Sequence, residues 1–250
     1  LDALLGRAQA VLGEQMLAMY LDGSLVTGGF DQDSDIDFVA VTRDGISSGL
    51  FDALQAMHDA LATVDSPWAI QLEGSYLSQH ALRRYDPADN RYPNLERGAG
   101  ERLKWREHDE TWDLHRFVLR QRGIPLAGPP AGAFIDPVTP GRLRQVMRSN
   151  LTGWAAALLE NPDGMSTRGY QSFVVLSLCR ILYTLETAEV VSKRQAAIWA
   201  QATLDSRWSA LIERAWVGRH APDGPAAAGD IQETQAMIRY ALARGLTAGC

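Results

Sequence analysis

Apolar positions recur along this chain with two different periods, and the change from one to the other divides it. Residues 2–19 carry Leu4, Leu5, Ala8, Val11, Leu12 and Met16 at spacings of three and four, predicting one helix face. Met19–Asp22 reads as a short extended run. The stretch Gly23–Gly29 that follows holds three glycines and is expected to form no regular element. Asp35–Thr42 is a predicted strand that opens with two acids and continues apolar on both faces, the mark of a central position. Residues 47–63 have helical spacing through Leu50, Leu54, Met57 and Leu61. Ala69–Leu77 alternates, with Ile70 and Leu72 on one side and Gln71 and Glu73 on the other.

Half of the residues from 83 to 110 are charged, so a connecting or substrate-facing loop region is expected there, with a helix over Leu95–Glu107 as the alternative. Helical spacing resumes at 111–122. Gly123–Gly141 holds five of the eleven prolines and is expected to cross between units without regular hydrogen bonding. Beyond it the pattern predicts helices over 141–159, 168–188, 194–201, 206–217 and 230–244, and no strand. The reading is an α/β domain over residues 1–138 followed by an all-helical domain over 139–250.

Composition narrows the possibilities. Thirty acidic residues against twenty-four basic ones give a net charge of −6 and argue against sequence-blind binding to nucleic acid, which draws its affinity from a basic face. The longest apolar run, Phe173–Cys179, falls far short of the roughly 20 residues of a membrane span. The amphipathic start lacks the apolar centre of a signal peptide. A cytoplasmic protein without membrane or nucleic-acid partners is expected. The two cysteines, Cys179 and Cys250, are too few for a disulfide framework or a zinc cluster, and Cys179 reads as a core residue. The five histidines show no metal-ligand spacing. Glu107, Asp109 and Glu110 beside Trp105 read first as a solvated loop, with reception of an amine-rich substrate as the alternative.

The informative segment is Gly23-Ser24, a gap of ten residues, and then Asp35-Ile36-Asp37. A Gly-Ser turn lets backbone N–H groups and a hydroxyl approach phosphate oxygens. Carboxylates at i and i+2 of a strand project to one face, where they repel each other unless a divalent cation lies between them. Such a pair suits a magnesium-dependent reaction of a triphosphate, with Glu73 on a later strand as a third carboxylate.

These residues resemble the signature of the nucleotidyltransferase superfamily. More narrowly, the stretch from Gly23 to Val41 resembles the aminoglycoside adenylyltransferases of the streptomycin/spectinomycin type. That likeness continues at Leu72-Glu73, at Gly123–Leu126 and at Leu178–Leu185. The resemblance implies a polymerase-beta-like mixed sheet with helices and a C-terminal helical bundle. It implies transfer of AMP from ATP to a hydroxyl of a cationic small acceptor, an aminoglycoside or aminocyclitol, with pyrophosphate released. Asp35 and Asp37 would hold two magnesium ions, and Gly23 and Ser24 would meet the nucleotide phosphates. Glu73 would take the hydroxyl proton, and Arg180 and Lys193 would reach the triphosphate. For Arg180 the residues alone also allow a structural salt bridge, for example to Glu186; for Lys193 they allow a solvated surface position. Adenylylation of a protein partner and a non-catalytic nucleotide-binding regulator are the alternative functions.

The chain departs from the family in three places. Tyr170 and Phe173 stand where the family recognises its antibiotic with acidic and histidine residues, and the family's upstream tryptophan has no counterpart. Asp22 precedes the Gly-Ser turn where a hydrophobic, histidine or tyrosine residue is usual; a place near the metals and one facing water are both open to it.

Overall fold

The computed structural model describes residues 1–247; Cys250 lies outside the described residues. Two compact units divide the chain, Leu1–Val138 and the residues from Thr139 onward.

The first unit is a six-stranded mixed sheet with helices on its faces. In chain order its elements are α1 (Asp2–Leu12), β1 (Met16–Leu21), α2 (Gly23–Thr27), β2 (Ile36–Thr42), α3 (Ser48–Ala62), β3 (Leu72–Ser78), α4 (Gln79–Arg83), β4 (Arg91–Leu95), β5 (Lys104–Glu107), α5 (Asp113–Arg122) and β6 (Ile124–Ala127). The strands lie in the order β5-β4-β3-β2-β1-β6. Only the β2–β3 pair is parallel, and α3 provides its crossover. The central position expected for Asp35–Thr42 is therefore found.

Strand alternation sorts the core into two layers. Met19, Leu21, Phe38, Ala40, Leu72 and Tyr76 face α1 and α3, meeting Leu4, Ala8, Leu12, Leu54, Met57 and Leu61. Ala18, Tyr20, Val39, Val41 and Leu77 face the other way and pack with Leu82, Leu119 and Ile135. Gly74 allows close layering, since a Cβ there would fall 2.1 Å from the Phe38 ring.

Several local expectations are corrected. The first helix ends at Leu12, because Gly13 takes a positive φ of 53°, and the chain then enters β1 three residues before Met19. The Gly23–Gly29 stretch holds one short helix, α2, closed by left-handed Gly28. The charged 83–110 segment contains strands β4 and β5, not a helix over Leu95–Glu107. Every β5 residue is exposed at the sheet edge, so no apolar alternation marks it. Asp109 there caps a turn, accepting from the Thr111 backbone N–H at 2.8 Å. The proline-rich crossing contributes β6, where Pro125 is tolerated because the strand lies at the opposite edge.

The second unit is helical: α6 (Pro140–Asn150), α7 (Ala156–Glu160), α8 (Arg168–Thr187), α9 (Lys193–Thr203), α10 (Ser209–Gly218) and α11 (Ala228–Thr247). A wider turn over Leu151–Ala155 joins α6 to α7. Thr139 caps α6 with Pro140 in its first turn, and Ser192 and Gln195 form a reciprocal cap on α9. Helix α8 runs through the middle and packs against α6, α9, α10 and α11. Its Val174, Val175, Leu178, Cys179, Ile181 and Leu182 are buried. Burial pushes the Cys179 thiol up to about 12, consistent with a core residue. Among the described residues this unit forms no strand, and no helix is long and apolar enough to cross a membrane. The mixed sheet followed by helices is the fold class expected from the sequence.

Candidate active site

Strand register assembles the site. Asp37 on β2 stands opposite Glu73 on β3, and Asp35 precedes Asp37 by two residues and so shares its face. One oxygen from each of Asp35, Asp37 and Glu73 falls within 4.8 Å of the other two. The loop before β2 is tied locally. Asp31 Oδ1 accepts from the Asp33 backbone N–H and from Ser34 Oγ, each at 3.1 Å, and the Asp31 N–H donates to Ser34 Oγ at 3.0 Å. That loop delivers Asp35 to the strand in a set orientation.

The Gly-Ser turn closes against these acids. Gly23 has a φ of +63°, and a Cβ there would sit 1.8 Å from Asp37 Oδ2, so only glycine fits. The Ser24 backbone N–H donates to the Asp37 carboxylate, and the Ser24 hydroxyl is buried without a protein partner. The turn therefore spends one N–H on the acid itself and keeps its hydroxyl uncommitted.

Electrostatics mark the cluster as under-neutralised. Burial, then the charges of Asp35 and Asp22, push the Asp37 carboxyl up to about 7, against smaller opposing effects of His115 and the Ser24 N–H. Glu73 is raised for the same reasons, by burial and then by Asp35 and Asp37, with Arg97 pulling the other way. Arg97 Nε lies 3.8 Å from Asp35 Oδ2, and its Nη1 donates to the Asp33 carbonyl at 3.0 Å. Three mutually repelling oxygen donors with no nitrogen or sulfur among them suit a hard divalent cation such as Mg²⁺. The donor chemistry and the short separations fit that ion.

Arg180 and Lys193 belong to the other unit. Arg180 is half-buried on α8, and Glu186, the partner considered for it, holds Arg244 at 3.0 Å. Lys193 opens α9 and sets its ammonium 5.7 Å from the centre of the Phe173 ring. Phe173 in turn stacks on Tyr170, whose hydroxyl accepts from Trp154 Nε1 at 3.2 Å.

Pattern reading missed two neighbours of the acids, His115 and Arg97, and left open for a third, Asp22, a place near the cations or one facing water. Asp22 is buried beside Asp37, His115 approaches Asp22 from α5, and Arg97 flanks Asp35. Asp22 was visible as an unusual residue before Gly23; the other two are brought in from 93 and 62 positions away in the chain. Arg116 explains how α5 is held there. Its fully buried guanidinium donates to the carbonyls of Ala81 and Leu82 at 2.7 and 3.0 Å and to Asp113 at 2.9 Å.

The chain is similar to known proteins over most of its length. Residues 133–244 match the aminoglycoside adenylyltransferase C-terminal domain. An aminoglycoside (3'') (9) adenylyltransferase of Klebsiella pneumoniae is 28% identical over 85% of this chain and 81% of its own length. This chain is similar to the aminoglycoside adenylyltransferases along most of its length. A spectinomycin 9-adenylyltransferase of Staphylococcus aureus is 24% identical over 92% of this chain and 88% of its own. The spectinomycin adenyltransferase of Enterococcus faecialis, solved with ATP and spectinomycin, shares the fold with a TM-score of 0.73 at 13% identity, covering 98% of each chain. An adenylyltransferase-type chain of this kind is an enzyme, and the carboxylates on β2 and β3 lie in its sheet unit.

Proposed function

We propose that this enzyme transfers AMP from ATP to a hydroxyl of a small cationic acceptor, an aminoglycoside or aminocyclitol antibiotic, and releases pyrophosphate. The observation that carries the reading is the convergence of Asp35, Asp37 and Glu73 within 4.8 Å, in a chain whose relatives are named for this transfer.

Asp35 and Asp37 are the residues that would hold magnesium, with Glu73 completing the acidic set. Bound there, the ion would neutralise the acids, draw in the triphosphate and stabilise charge developing on the departing pyrophosphate. Gly23 allows the turn to press against Asp37, and the buried Ser24 hydroxyl is a donor for a phosphate oxygen. Glu73 takes the proton of the acceptor hydroxyl as its oxygen bonds to the α-phosphorus and the bond to the bridging oxygen breaks. In the metal-free fold, burial and then the neighbouring acids Asp35 and Asp37 raise the Glu73 carboxyl. By the family resemblance, Arg180 and Lys193 would supply positive charge for the triphosphate. The acidic balance of the chain suits a polyamine acceptor and a cytoplasmic enzyme without nucleic-acid or membrane partners.

The test is pyrophosphate release from Mg-ATP across a panel of aminoglycosides and aminocyclitols. Acceptor-dependent release that disappears in Asp37→Asn supports the proposal. ATP binding without release for any acceptor, or transfer of the label into a co-purified protein, overturns it.

A further inference from the structure

We propose that Asp22 is a fourth carboxylate of the cation site, oriented by His115; the inference rests on the nucleotidyltransferase reading above. Asp22 directly follows β1, and its N–H donates to the Asp37 carbonyl at 3.0 Å, continuing the register in which Leu21 faces Phe38. Asp22 is thus the cross-strand partner of Asp37, as Glu73 is on the other side. Directly opposed residues share a face, so Asp22, Asp37 and Glu73 form a row across β1, β2 and β3.

Like charges so placed repel, and Asp22 has little compensation. Its side chain is 6% exposed, and its Oδ1 is buried with no hydrogen-bond donor. Its Oδ2 meets His115 Nδ1 at 3.4 Å. A surface ion pair with a half-exposed histidine needs neither the burial nor the bare second oxygen. A buried carboxylate oxygen left without a donor, in a row of acids, is accounted for by a cation bound against it.

Asp22 lies outside the three-residue group whose oxygens are mutually within 4.8 Å, so it extends the site to the far side of Asp37. Asp37 then stands between two cation-binding sides, one shared with Asp35 and one shared with Asp22. His115 is a positioning residue. Anchored next to Arg116 and tilted against Trp112 at 5.0 Å between ring centres, it fixes one Asp22 oxygen and leaves the other for the ion.

Mn²⁺ titrated into the intact protein with ATP present, followed by the electron paramagnetic resonance signal of free Mn²⁺, tests this. Wild type, Asp22→Asn, Asp35→Asn and His115→Gln are compared, with thermal unfolding measured without metal. Asp22→Asn is expected to weaken Mn²⁺ binding by about tenfold or more while the metal-free unfolding temperature holds or rises, and Asp22→Glu to restore part of the affinity. His115→Gln, at a half-exposed position that tolerates substitution, is expected to weaken binding by about tenfold. Wild-type affinity in both Asp22→Asn and His115→Gln overturns the proposal, as does a lowered unfolding temperature with Mn²⁺ binding intact. If Asp35→Asn also binds like wild type, the cation site itself is misassigned and the underlying reading falls with it.

Discussion

Asp37 and Glu73 face each other across the one parallel strand pair of the sheet. Parallel pairing requires a crossover, and α3 supplies it, so the two acids come from stretches separated by a whole helix and are still fixed by backbone hydrogen bonds. The backbones that carry them cannot part without breaking β2 from β3. The repulsion between them is built into the sheet.

Glu73→Gln separates proton transfer from binding. A positioned base contributes roughly 10²–10⁴ in rate, so kcat is expected to fall in that range while ATP affinity, measured calorimetrically, changes little. Equal loss of ATP binding would mean that Glu73 serves the cation and not the hydroxyl.

Gly23→Ala tests the close approach of the turn. The new methyl group would occupy the place of Asp37 Oδ2, and the backbone would carry a positive φ with a side chain. A displacement of about 1 Å in a reacting group costs on the order of 10² in rate, so pyrophosphate release should drop at least that far. Thermal unfolding with and without Mg²⁺ should show that most of the stabilisation by the ion is lost.

Cation binding should depend on pH with a definite sign. The Asp37 carboxyl stands near 7 in the metal-free fold, above its unfolded value, so between about pH 4 and 7 the folded chain holds more protons than the unfolded one. Its contribution to metal-free stability is complete below that window and is lost as pH rises through 7. Ligation needs the ionised acid, so Mg²⁺ affinity should rise from pH 6 to pH 8. Calorimetry in buffers of different ionisation enthalpy should register proton release on binding at pH 6 and little at pH 8.

Arg116 is the anchor of α5. Removing one member of a buried ion pair costs about 3–5 kcal/mol, and Arg116→Met also strands the carbonyls of Ala81 and Leu82. Chemical denaturation of the full chain should show a loss of that size, and activity should fall with it because His115 rides on the same helix turn.

The placement of the acids was readable where it coincides with a short period. Asp35, Asp37 and Glu73 sit at the entrances of strands whose apolar residues announce them, so type, face and approximate register follow from the letters alone. Arg97 and His115 carry no such mark, because their position depends on where distant loops and helices dock. Strand β5 is hidden for a related reason: an exposed edge strand buries nothing, and its charges look like a loop. Strand β1 was partly absorbed into the preceding helix because Met16 satisfies a helical spacing as well as a strand. Pro125 argued against β6, although a strand at the rim of a sheet has an unpaired side where a missing N–H does no harm.

Because strand side chains alternate, the row of acids has a strict dependence on alignment. Sliding β1, β2 or β3 by a single residue would turn its acid through the sheet into the layer of Leu4, Leu54 and Phe38, and would bring an aliphatic residue out in its place. Insertions or deletions within these strands are therefore barred by the chemistry as firmly as by the packing, and variation in length must collect in the connecting loops.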